Sequence, residues 1–367
     1  MNVLWFTSRN MVDLCSTTQV ALGEGLMALG HQVTIVNSDE EGSHIDLSWS
    51  HISIPAQAIR GRKAHVLGKG MHHWFSNFQT RNQTVAIVDW SIASSLSQLL
   101  KKKAIPWILM DRSPPADRGV LAKFQWLVWK KAWKLVKNRN ALLGCVVSSS
   151  HGEFVHLKTG VLETRMIQIP AGVDTSLFKP GPKSDILTLV YHGRLDRNRG
   201  VLSLPILLEK LHQNDVQAKL LLIGEGDSYE RLQRMAQSRD DIEVLSTLPQ
   251  KQLSKQLSRC HIGLLPMPKS KVWTLASPLK RSEYAASGLL MFGIDHSGHR
   301  IDSNLQPPWI HLVAQENFHY AGVKWIQSLT TENIQSFSVE SREYAEQHFK
   351  WNQCVERLEQ ACLSCLN

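Results

Sequence analysis

Short continuous apolar runs alternate along this chain with longer stretches whose apolar residues recur every three or four positions. Val3–Thr7 is the first apolar run and reads as a buried strand. A polar loop follows, and Thr17 can cap a helix to about Leu29 with Val20, Leu22, Leu26 and Leu29 as its stripe. Gly30-His31 turns the chain into a second strand, Gln32–Val36. Strand, loop, helix and strand in this order open a doubly wound α/β sheet. No GxGxxG follows the first strand, so the dinucleotide fingerprint is absent. His51–Pro55, Ala64–Leu67, Val85–Asp89, Trp107–Asp111 and Ala141–Ser148 are expected strands, and Val120–Lys137 and His151–Leu157 are expected helices.

Pro, Gly and polar residues interrupt the pattern over about 172–184, after which the alternation restarts. Strands are expected at Ile186–His192, Lys219–Ile223, Ile242–Leu245 and His261–Leu265, with helices at Leu204–Leu211, Glu230–Gln237 and Leu253–Leu257. A final helical pattern runs from about Val339 to Leu363, with a break near Phe349-Lys350-Trp351. The chain's 367 residues exceed one ordinary core. The fold class is therefore α/β, with two Rossmann-like doubly wound domains facing across a cleft, 1–175 and 176–349.

Three strand-to-helix junctions carry the candidate chemistry. Ser277-Pro278-Leu279-Lys280 enters a helix that ends at Gly288, before an apolar run to Ile294. Free N–H groups at such an entrance suit an anion, and Glu283 shares a helix face with Lys280. A carboxylate there can take two ribose hydroxyls; an ordinary i,i+3 ion pair fits the spacing as well. Gly193-Arg194-Leu195-Asp196-Arg197-Asn198-Arg199-Gly200 is a second anion-binding turn. Asp111 lies just past a strand's carboxyl end, where it is either an acidic site residue or a turn-capping one.

Charge adds a partner. The net charge of +9 points to an anion: nucleic acid, a membrane surface or a phosphorylated substrate. On the helix 120–137, steps of 100° place Leu121, Phe124, Leu127, Val128, Ala132, Leu135 and Val136 on a core face. Lys123, Lys130, Lys134 and Lys137 gather opposite, with Trp126 and Trp133 beside them and no acid from Arg118 to Arg139. That is either a face resting on an anionic membrane or a solvated face whose indoles pack on a neighbouring loop. Nucleic acid is not expected, because the arginines sit in Gly turns. Cys354, Cys362 and Cys365 are too few and poorly spaced for zinc, so reduced cytoplasmic thiols and no metal are expected. No run reaches the length of a membrane span, and the first residues read as a strand rather than a signal peptide.

Taken in order, the landmarks resemble glycosyltransferase family 4, retaining nucleotide-sugar enzymes of the GT-B architecture. Ala28–Val36 is similar to the family's LxxxGHxVxVI segment, and Ile169–Pro180 to its IPNGVDxxxFxP linker. Gly193-Arg194-Leu195 with Arg199-Gly200 resembles GRLxxxKG, Leu222–Gly226 resembles LxIxGxG, and Ser277–Gly288 resembles the PLKxxEYMAxG variant. Phe349-Lys350-Trp351 resembles the FSW step before a helix, about 350–367, that returns to the first domain. The resemblance implies that a sugar moves from a nucleotide diphosphate to an acceptor hydroxyl. Arg194, Arg199 and Lys280 would stabilise the diphosphate together with Gly193, Ser277, Pro278 and Leu279. Glu283 would hold the ribose, and Thr247 and Leu248 the base. Asp111 is the acidic candidate of the first domain. The donor is then a co-substrate and no cofactor is implied. The Trp and Lys face of helix 120–137 favours a lipid-linked or cell-surface glycan as acceptor, on the cytoplasmic face of a membrane, with a soluble acceptor as the alternative. Four features depart from the family: Arg199 stands where Lys is usual, keeping the charge but offering a planar fork, Leu275 stands where a Glu usually helps hold the sugar, Arg9-Asn10-Met11 replaces a Gly-Gly loop, and Ala171 replaces Asn. They leave open a non-catalytic protein of the same fold, one that binds a sugar nucleotide or serves as a partner subunit.

Overall fold

A computed structural model describes residues 1–11, 16–56, 62–115, 120–301 and 306–366, with the side chains of residues 120 and 121 outside the description. The chain separates into two compact units, Met1–Pro170 with Trp351–Asn367, and Ala171–Lys350. The division falls about five residues before the one expected from the linker composition.

The first unit contains β1 (Asn2–Phe6), α1 (Thr17–Ala28), β2 (Gln32–Asn37), β3 (Ser50–Ser53), α2 (Lys63–Asn77), β4 (Thr84–Asp89) and α3 (Ala93–Lys102). It continues with β5 (Trp107–Met110), α4 (Val120–Lys137), β6 (Leu143–Val146), α5 (Ser149–Thr159) and β7 (Met166–Gln168). Its strands form one sheet of order β3-β2-β1-β4-β5-β6-β7, and every pairing is parallel. Parallel strands covered on both faces must be apolar throughout, which is why they show in the sequence as unbroken apolar runs. Contacts run from α2 to α3, from α3 to α4 and from α4 to α5, so these helices line up over one face. Helix α1 contributes Leu22 and Leu26 to the core cluster on the other face.

Two expectations fail here. Ala64–Leu67 is part of α2 rather than a strand. Leu67, Met71 and Phe75 recur every four residues and are fully buried, a helical period that outweighs the short apolar run. On α4 the inward face is rotated: Trp129, Ala132, Trp133 and Val136 are fully buried, while Phe124 and Leu127 are 62% and 56% exposed. Leu121 lies outside the described side chains. The sheet explains the rotation. Gly144 on β6 leaves a space in which a Cβ would come within 2.3 Å of the Trp133 ring, so the indole fills the place of a side chain. A smaller Phe or Leu in that position would leave a void.

The second unit contains β8 (Leu187–His192), α6 (Leu204–His212), β9 (Ala218–Ile223), α7 (Tyr229–Ala236), β10 (Ile242–Leu245), α8 (Gln250–Ser258) and β11 (Ile262–Leu265). It continues with α9 (Lys271–Thr274), α10 (Leu279–Ala286), β12 (Leu290–Ile294), β13 (Ile310–Val313), α11 (Phe318–Gln327) and α12 (Thr331–His348). The sheet order is β10-β9-β8-β11-β12-β13, again all parallel. Strand order reverses between β8 and β11, and a crevice at that switch point is where such sheets place ligands. The final helix, α13 (Trp351–Ser364), belongs to the first unit and packs on α1.

Candidate functional site

The carboxyl end of β8 is built around glycines. Gly193 has a φ of +111°, and a Cβ there would meet the Lys280 Nζ at 3.4 Å. Gly224, at the end of β9, approaches so closely that a Cβ would lie 2.0 Å from the Gly193 carbonyl oxygen. The two strand ends are tied by hydrogen bonds from Gly193 N to Ile223 O and from Leu195 N to Glu225 O. Only a chain without side chains at these points lets the loop 193–200 fold over the sheet's edge.

Three expected cations come to this end of the second unit. Lys280, in the first turn of α10, is nearly buried. Its Nζ sits 4.7 Å from the centre of the Tyr191 ring and 3.9 Å from Met267 Sδ, and no carboxylate pairs with it among the described contacts. Burial, and then the charge of Arg199, pull its pKa from 10.5 to about 7. Arg199 lies over the Trp273 ring at 4.5 Å, with its Nε 3.7 Å from an oxygen of Asp196. Arg194 is more open and makes two 3.0 Å hydrogen bonds to Asp196. Those bonds, against the opposing effect of burial, hold the Asp196 carboxyl below its usual range. Pro278 precedes α10 and no side chain caps the helix, so its first N–H groups lack a side-chain acceptor.

The spacing of Lys280 and Glu283 does not produce an ion pair. Glu283 instead lies 3.1 Å from His192 Nε2, and both residues are nearly buried. Ser277 turns its hydroxyl away from the helix, accepting a hydrogen bond from Ala171 N. Ser282 donates to the Ala171 carbonyl from the same helix. Thr247 and Leu248 lie on the loop after β10, at the same edge of the sheet and half-buried. Leu275 is buried. Sequence reasoning missed His192, Tyr191, Met267 and Trp273. Only the place of His192, at the very end of an apolar strand, was a signal.

In the first unit Asp111 is not offered to a ligand, which corrects its reading as a catalytic acid. It is wholly buried, accepts from Trp129 Nε1 at 2.6 Å and Trp133 Nε1 at 2.9 Å, and lies 3.4 Å from His151 Nε2. Its other oxygen accepts from Ser113 N, the turn-capping role. Trp133 is thereby removed from any surface, and Trp126 packs edge-on against Trp129 and Phe154. Lys123, Lys130, Lys134 and Lys137 remain exposed. The loop that replaces the Gly-Gly turn is pinned by Asp39, which accepts from Met11 N at 2.7 Å, and by Asn37, which donates to the Arg9 carbonyl. Among the described residues no group of three or more His, Cys, Asp or Glu is arranged to hold a metal. No described helix is long and apolar enough to cross a membrane.

Residues 187–313 match the family model described as glycosyl transferases group 1. A stretch of 124 residues, 32% of the chain, is 28% identical to a phosphatidylinositol N-acetylglucosaminyltransferase subunit of Arabidopsis thaliana, and spans 28% of that relative's length. Over the whole chain the fold is similar to that of sucrose-phosphate synthase from Thermosynechococcus elongatus, with a TM-score of 0.78, 16% identity and coverage of 99% and 98%. It is also similar to that of Anabaena HepE in complex with UDP-glucose, with a TM-score of 0.72, 12% identity and coverage of 99% and 100%. The architecture is the GT-B fold of those structures, and within the second unit residues 187–313 are similar to the group 1 glycosyl transferases.

Proposed function

We propose that the chain is a retaining glycosyltransferase that binds a nucleotide-diphosphate sugar at the carboxyl edge of the second sheet. The observation that carries this reading is Lys280, a buried cation without a carboxylate partner in the first turn of an uncapped helix. Such a group is costly until an anion joins it. As the bond from the sugar to the diphosphate breaks, negative charge grows on the leaving oxygens. Lys280, Arg199, Arg194 and the N–H groups of α10 then interact more strongly, which lowers the barrier. Glu283 accepts the ribose hydroxyls. The full chain incubated with UDP-, GDP- and ADP-sugars should show one donor raising its melting temperature and yielding a product with the donor's anomeric configuration. Absence of binding to all of them would sink the proposal.

The acceptor in this reading is a lipid-linked or cell-surface glycan on the cytoplasmic face of an anionic membrane. Residues 47–152 contain sixteen Lys and Arg against three Asp and Glu, and two of those acids, Asp89 and Asp111, are buried. On α4, exposed Phe124 and Leu127 stand among exposed Lys123, Lys130, Lys131 and Lys134. Apolar side chains ringed by cations suit a headgroup boundary better than Trp126 and Trp133 do, since those indoles pack inward. The Arabidopsis relative's name pairs sugar transfer with a phosphatidylinositol lipid, which supports the same class. With vesicles holding about a third anionic lipid, Phe124→Ser with Leu127→Ser should cut binding at least about tenfold, from the lost apolar burial. Unchanged binding would remove the membrane from this reading. A second reading, a non-catalytic subunit, is favoured by Leu275 and by the word subunit in that relative's name. Donor binding without turnover on any acceptor or water would favour it.

A further inference from the structure

We propose that His192 is a positioning residue that fixes Glu283 for a ribose diol, and so sets a preference for ribonucleotide over deoxyribonucleotide donors. The inference rests on the donor reading above. Glu283 extends from the middle of α10, where a carboxylate with one free torsion after another would ordinarily sample several rotamers. Here its Oε2 is 3.1 Å from His192 Nε2, and the line of approach lies outside that of a good hydrogen bond. Among the described residues neither atom has a hydrogen-bond partner. The pair is thus in contact but incompletely satisfied, which is costly for buried polar atoms.

His192 itself has little freedom. Its ring stands at 88° to the Tyr284 ring with centroids 5.2 Å apart, and its backbone N–H donates to Tyr284 Oη at 3.2 Å. Tyr284 Oη in turn donates to the Val190 carbonyl at 3.3 Å. Tyr284 is wholly buried and is the neighbour of Glu283 on the helix. The end of β8 is therefore clamped to α10 beside the carboxylate. Lys280 does not compete for Glu283, because its ammonium is directed to Tyr191 and Met267. With the imidazole against Oε2, Oε1 is the oxygen left for a ligand. A cis-diol donates two hydroxyl protons to one carboxylate, and it gains both only if that carboxylate is held in one orientation. A deoxyribose gives up one of the two hydroxyls and with it the benefit of the fixed orientation.

The test is calorimetric titration of the full chain with UDP, GDP and ADP, each against its 2′-deoxy counterpart. The wild type should bind the ribonucleotide of its preferred base at least about tenfold more tightly. His192→Ala should weaken that ribonucleotide about tenfold and leave the deoxy form within about twofold, so that the preference collapses. His192→Gln, whose side-chain N–H reaches nearly as far as Nε2, should restore most of it. Equal weakening of both sugars by His192→Ala would reduce His192 to a packing residue and overturn the proposal. So would failure of His192→Gln to restore the preference in a protein of unchanged melting temperature. A wild type that binds none of the nucleotides fails at the donor reading itself; one that binds them with a ratio indifferent to residue 192 fails only here.

Discussion

Replacing Lys280 with Met should give a protein that melts higher than the wild type and transfers sugar about a thousandfold more slowly. Both effects come from the same burial. The folded chain holds this amine at a pKa of about 7 instead of 10.5. At about 1.4 kcal/mol per unit, the charged form is disfavoured by roughly 5 kcal/mol in the fold. Methionine fills a similar volume without that cost, and a gain of even about 2 kcal/mol would raise the melting temperature by roughly 5 °C. In the proposed reading the rate falls because the cation that faces the leaving diphosphate is gone. The pH dependence has two opposite signs. Between pH 7 and 10.5 the unfolded chain binds more protons at this lysine than the folded one, so its contribution to stability improves as pH rises. Donor affinity moves the other way: an anion requires the ammonium, so binding of a nucleotide sugar should weaken above about pH 7 by up to about tenfold per unit. Differential scanning fluorimetry and donor titration from about pH 6 to about pH 9 check both. A Lys280→Met variant with wild-type turnover, or with the same pH slope in donor binding, would show that Lys280 is not the diphosphate cation.

Asp111→Ala should cost the first unit about 3–5 kcal/mol, enough to leave much of it unfolded at about 37 °C. The carboxylate satisfies two buried indole N–H groups and one backbone N–H, and His151 lies against it. Alanine leaves both indole N–H groups without that acceptor in a buried core. Asn keeps one acceptor oxygen and should recover roughly half of the loss. Urea unfolding followed by Trp fluorescence measures this, because nine of the twelve Trp, Trp129 and Trp133 among them, lie in the first unit. An Ala variant with wild-type stability and no activity would restore Asp111 to the catalytic list.

The contrast between these two residues shows what is legible in a sequence. The placement of Lys280 at a helix entrance and of 193–200 as a Gly turn was legible because it is local: Pro and Gly fix the backbone, and helix entry fixes the direction of the N–H groups. Most strands of the two sheets were legible because parallel strands are apolar on both faces, whereas the short, half-buried edge strands β7 and β13 were not. Asp111 was placed correctly at a strand end, but its partners come from α4 and α5, so nothing nearby in sequence announced that it would be consumed. The same applies to α4. Counting Leu and Phe as core and Trp beside Lys as surface fails when a glycine on a neighbouring strand makes room for an indole. His192 showed only its place at a strand end, not its partner, for a related reason: its contact with Glu283 crosses 91 residues and depends on how β8 and α10 meet. Helical spacing placed Lys280 and Glu283 on one face, but tertiary neighbours chose their partners.

The return of α13 to the first unit has a consequence for synthesis. Cys354, Val355, Leu358, Ala361 and Cys362 of α13 belong to the core cluster shared with β1, α1 and β2. Val355 fits so closely over Gly25 that a Cβ on the glycine would come within 2.3 Å of it. When residues 1–170 have left the ribosome, that wall of the core is still missing, and Leu22 and Leu26 have water where α13 will lie. Residues 171–350 can close their own core first, although they emerge later. The nascent first unit therefore waits with an open apolar flank for the whole time the second is being made. It is in that interval, rather than in the finished molecule, that this chain is most exposed to aggregation and to capture by chaperones.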